Sequence, residues 1–111
     1  MSQSIKFKRE SLGGQTYMGK KMPDLEGYAS EHFHISNWKS SFYPWRVFHK
    51  PSGLSVTMLD QKTLKAAKDV VFAVEQRFKW DADSLEAIAQ LNEMTPRQFY
   101  DALKEASLGV R

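Results

Sequence analysis

A chain of 111 residues, 41% apolar and 26% charged, holds enough material for one buried core and too little for two domains. With no cysteine, it excludes disulfide scaffolds, thiol nucleophiles and cysteine-based zinc folds together. No apolar run approaches the roughly 20 residues of a membrane span, and residues 1–12 lack a signal-peptide apolar stretch, so a cytoplasmic protein is expected.

The net charge of +3 is unevenly spread. Residues 1–50 carry eight Lys or Arg against four acidic groups, whereas residues 81–111 carry three against six. A basic body with an acidic end attracts a polyanion to one side and repels it from the other.

In chain order, residues 1–30 read as a basic, glycine-containing arm or edge strand. Ile5 and Phe7 alternate with Lys6 and Lys8, and Gly13, Gly14, Gly19, Pro23 and Gly27 punctuate the rest of the segment. Residues 31–59 read as an antiparallel sheet of about three strands. Phe33 and Ile35 alternate with His32, His34 and Ser36. Lys50-Pro51-Ser52-Gly53 has the chemistry of a type I turn closed by a glycine bulge, so residues 45–58 form a hairpin. Its inner face would carry Trp45, Val47, Leu54, Val56 and Met58, and its water-facing side Arg46, Phe48 and Lys50, with His34 beside them.

Residues 60–111 read as three helices. Asp60 is the expected cap of the first, whose inner positions are Leu64, Ala67, Val71, Val74 and Phe78. Asp81 or Asp83 would cap the second, with Glu86 completing a capping box. Thr95, Pro96 and Gln98 open the third, Met94 and Phe99 would staple it, and Gly109 would stop it. Strands first and helices after give an α+β fold: one domain, with a small antiparallel sheet packed on a long helix and a C-terminal helical hairpin.

Three motifs fall short of a chemistry. Gly14-Gln15-Thr16-Tyr17-Met18-Gly19-Lys20-Lys21 approaches a phosphate-binding loop, but Lys21 replaces the magnesium-binding hydroxyl and Met22-Pro23 opens no helix. His32 and His34 have metal-ligand spacing, but Glu31 would point away by alternation and no cysteine completes the set. The second and third helices approach a helix-turn-helix, yet Glu93 stands at the turn glycine and Asp101 and Glu105 oppose phosphate. No catalytic residue, metal or cofactor is expected.

The remaining constellation mixes cations and aromatics. Arg46, Phe48 and Lys50 lie beside Trp38, Phe42 and Tyr43 of the preceding loop, and the arm adds Lys6, Lys8, Arg9, Lys20 and Lys21. Aromatics stack on bases and cations pair with phosphates, which suits DNA or RNA; the same residue types make protein hot spots. Over residues 30–80 the element order is similar to integrase arm-binding domains, whose sheet enters the major groove. The expected function is non-enzymatic binding in a nucleic-acid-related assembly. The leading form is a protein-binding regulator or inhibitor of a nucleic-acid-handling enzyme, of the kind mobile elements and phages encode. The alternative is direct DNA or RNA binding.

Overall fold

The computed structural model describes residues 7–13, 16–17, 19–21, 25–38 and 42–110. It is α+β. The strands are β1 (Lys8–Leu12), β2 (Thr16–Tyr17), β3 (Lys20–Lys21), β4 (Leu25–Ala29), β5 (Phe33–Asn37), β6 (Trp45–His49) and β7 (Leu54–Ser55). A single 3-10 turn (Thr57–Leu59) precedes α1 (Leu64–Arg77), α2 (Leu85–Leu91) and α3 (Pro96–Val110). One antiparallel sheet runs β1-β4-β5-β6-β7, and β2 pairs with β3 in a separate ribbon.

Five strands replace the expected three. The extra pair comes from the segment read as an arm or edge strand, where Lys8 to Leu12 lie opposite Ala29 to Leu25 and β1 forms the sheet's edge. Expected Lys6 lies outside the described residues. The sheet is also wider than the three-stranded plan of integrase arm-binding domains.

The hairpin register is as the sequence implies: Phe48 opposes Ser55, and His49 opposes Leu54. Gly53 takes φ +71°, where a side chain is disfavoured, and its amide donates to the His49 carbonyl at 2.8 Å. The second strand is shorter than expected, because the 3-10 turn begins after Val56. Leu54 is consequently 46% exposed and lies off the core.

The inner sheet face packs on α1. Phe33, Ile35 and Val47 of the sheet join Ala67, Val70, Val71 and Val74 of the helix in one fully buried cluster. Trp80 closes it, with its ring edge-on to Phe33 at 4.6 Å and its Nε1 donating to the Val74 carbonyl at 2.8 Å. From α3, Phe99 and Leu103 complete the cluster. A buried bond from Gln61 Nε2 to Ser107 Oγ, 2.9 Å, ties the start of the helical half to α3.

Two helix starts differ from expectation. Thr63 caps α1 by accepting from the Ala66 amide, while Asp60 is buried and accepts from the Val47 amide at 3.0 Å. Ser84, not either aspartate, caps α2. Both aspartates precede a hydroxyl residue that also satisfies the cap chemistry, so composition alone does not choose. At α3 the reciprocal box stands as read: Thr95 Oγ1 accepts from the Gln98 amide and Gln98 Oε1 from the Thr95 amide. Gly109 does not stop α3, which runs to Val110.

None of the helices among the described residues is long and apolar enough to cross a membrane.

Candidate nucleic-acid interface

Antiparallel pairing sorts the connections to two ends of the sheet. Leu12 opposes Leu25, Gly27 opposes Ser36, and Asn37 opposes Trp45. The segment joining β1 to β4, which carries β2 and β3, therefore leaves the sheet at the same end as the β5–β6 loop. The β4–β5 and β6–β7 turns lie at the other end.

At the first end the loop's aromatic residues meet cations. The Arg46 guanidinium lies 4.5 Å from the Trp38 ring centre, and the Trp38 indole donates to Ser36 Oγ. Lys62 Nζ stands 4.6 Å from the Phe42 ring and 5.8 Å from Tyr43, whose rings meet edge-on at 4.9 Å. The chain brings Lys62 there through an antiparallel bridge in which Trp45 and Gln61 exchange amide-to-carbonyl bonds of 3.1 Å. Phe42 is 74% exposed, and Lys20 and Lys21 are exposed on β3. Exposed Glu26 is the acidic group on this end of β4. Among the described residues, buried Arg46 Nε has no hydrogen-bond acceptor.

The predicted residues divide between the two ends. Trp38, Tyr43 and Arg46 share the loop end, and Lys20 and Lys21 are on the ribbon whose segment leaves the sheet at that end. Lys50 does not: it is half-buried at the opposite end, ion-paired with Glu10 at 2.8 Å and donating to the Ser30 carbonyl. The Lys50 ammonium bonded to it holds the Glu10 carboxyl below the ordinary carboxylate range. Lys8 is exposed at that same end, opposite Ala29. Arg9 is exposed on the other sheet face, 5.5 Å from the Tyr28 ring. Lys68 of α1 approaches Tyr28 from the helix side, at 4.7 Å.

Phe48 corrects the expected water-facing side. It does share a face with His34 and Arg46, but it is only 5% exposed. Trp38 folds back towards it, ring centres 6.3 Å apart, so the face carries a second apolar layer. Beside Phe48, His34 is fully buried. Burial pushes its pKa below the ordinary histidine value, against the raising effect of its bond to the Glu10 carbonyl.

At the far end His32 and His34, expected on one strand face, diverge. His32 Nδ1 lies 2.9 Å from Glu75 Oε2 and Nε2 lies 2.8 Å from Asp81 Oδ1. Burial opposes its protonation, but the bonds to both carboxylates outweigh that and raise its pKa. Glu31 does not point away: its Oε2 is 3.8 Å from His32 Nδ1. Sequence reading missed Lys62, Glu75 and Asp81. No local spacing signals them, because they reach their partners only through the sheet and α1.

The chain matches no known protein-family model, no curated protein and no solved structure.

Proposed function

We propose that this chain is a non-enzymatic binding protein whose loop end holds single-stranded nucleic acid. The supporting observation is the pairing of two aromatic platforms with cations, Arg46 on Trp38 and Lys62 on Phe42 and Tyr43, with Lys20 and Lys21 exposed on the ribbon that leaves the sheet at the same end. A stacked base gains about 1–3 kcal/mol on such a ring, whatever its identity, and the cations meet the phosphates.

A second reading keeps the same surface and makes the partner a protein of a nucleic-acid-handling assembly. Exposed Phe42 favours it, since an aromatic side chain free to enter a partner's pocket is a typical hot-spot anchor. Fluorescence anisotropy with labelled single-stranded DNA and RNA across a salt series separates the two. The nucleic-acid reading predicts affinity that falls with salt by about 0.7 log units per log unit for each phosphate neutralised. An undetectable response at low salt rejects it and leaves the protein partner.

A further inference from the structure

The opposite end of the sheet holds a donor set that the loop-end reading does not use. A neutral imidazole carries one N–H, yet His32 presents both ring nitrogens to carboxylate oxygens less than 3 Å away. Asp81 Oδ1 accepts the Nε2–H, which leaves the Nδ1 lone pair facing Glu75 Oε2 at 2.9 Å. Two lone pairs at that separation need a positive occupant between them: a proton in the imidazolium, which both carboxylates favour, or a metal ion that displaces that proton.

We propose that this occupant can be a divalent transition ion such as zinc, bound by His32 Nδ1, Glu75 Oε2 and Glu31, with water completing the set. One ligand atom from each of the three residues lies within 4.8 Å of the other two. The other oxygen of Glu75 is held by the Ser30 hydroxyl and, at 2.9 Å, by the His32 amide, so the carboxylate keeps Oε2 turned to the imidazole. Asp81 fixes the tautomer, in the carboxylate–histidine–metal pattern that orients ligating imidazoles. Glu75 and His32 are 8% and 13% exposed in their side chains, which gives the site a rigid floor. Glu31 is 82% exposed and already 3.8 Å from Nδ1, so it can swing in as the third ligand.

The fit requires a small movement only. Zinc bonds to nitrogen and oxygen of about 2.0–2.2 Å at a tetrahedral angle need an N···O separation of about 3.4 Å. One imidazole with carboxylates and no thiolate suits zinc, cobalt or manganese better than copper(I).

The test is calorimetric titration of the untagged full chain with zinc chloride, alongside Glu31→Ala and His32→Asn. One ion per chain is expected, and Glu31→Ala should weaken binding about tenfold or more. Because Glu31 is exposed, that variant keeps the fold even if His32→Asn does not. Ring nitrogen resonances should show zinc on Nδ1 with Nε2 still protonated. No stoichiometric binding, binding that Glu31→Ala leaves unchanged, or coordination through Nε2 would each overturn the site.

Discussion

The ring of His34 on β5 lies against Gly27 of β4, where a Cβ would come within 2.9 Å of its Cε1. Across that glycine its Nε2–H donates to the Glu10 carbonyl on β1 at 2.8 Å. One side chain thus ties three strands, and it can do so only because the middle strand has no side chain there.

Gly27→Ala tests this tie. The added methyl would also stand 2.0 Å from the Ile35 carbonyl oxygen, a main-chain atom that cannot rotate away. Overpacking of this kind costs about 1–3 kcal/mol, and the backbone clash puts the variant at or above the upper figure. Urea unfolding should show the midpoint fall sharply; an unchanged midpoint contradicts the close approach.

Phe48→Ala should behave as a core truncation and cost about 3–5 kcal/mol. Leu54→Ala, at a 46% exposed position on the next strand, should cost far less. Thermal melts of both variants check the contrast. A Phe48→Ala protein as stable as Leu54→Ala would put Phe48 back on the surface.

What the sequence made legible was local. The 50–53 turn carries its own chemistry, so the hairpin register and the shared face of His34, Arg46 and Phe48 could be read from alternation. Alternation says which residues share a face but not what covers it, and Trp38 folding towards Phe48 is set by a loop closed through Pro44. An edge strand at β1 lies within the reading of residues 1–30, whereas β4 was hidden because Gly27 looks like a loop residue until His34 packs on it. Of the loop end, Trp38, Tyr43, Arg46, Lys20 and Lys21 were legible as types. Their separation from Lys50 and Lys8 depends on strand order, which no local pattern encodes.

Stability should fall on mild acidification. Burial pushes the pKa values of His34 and His49 below the ordinary value, against the raising effect of their bonds to the Glu10 and Trp80 carbonyls. His49 donates from Nε2 to the Trp80 carbonyl and accepts from Ser52 Oγ, so its neutral form is fully bonded. Between those lowered values and about 6.5 the unfolded chain binds more protons, so stability drops as pH falls through that window. His32, with its raised pKa, acts in the opposite direction above about 6.5. Chemical denaturation from about pH 7.5 to about pH 5 should show the net loss, and His49→Gln should flatten the slope. A slope that steepens in His49→Gln contradicts the assignment.

Thr95→Ala removes one half of the box at the start of α3 and should cost about 0.5–2 kcal/mol. Oligonucleotide affinity should be unchanged in that variant, since Thr95 stands about 18 Å along the helix from Ser107, where α3 meets Gln61 beside the loop end. A variant that keeps its melting temperature but loses binding would move the interface to α3.

The most direct measurement is an amide and indole chemical-shift map of the full chain titrated with a short single-stranded oligonucleotide. The Trp38 indole and the amides of Phe42, Tyr43, Arg46, Lys20, Lys21 and Lys62 should shift together, while those of His32, Glu75 and Asp81 stay in place. Shifts gathered on α3 or around the His32 cluster, with the loop end silent, would contradict the assignment of binding to the loop end.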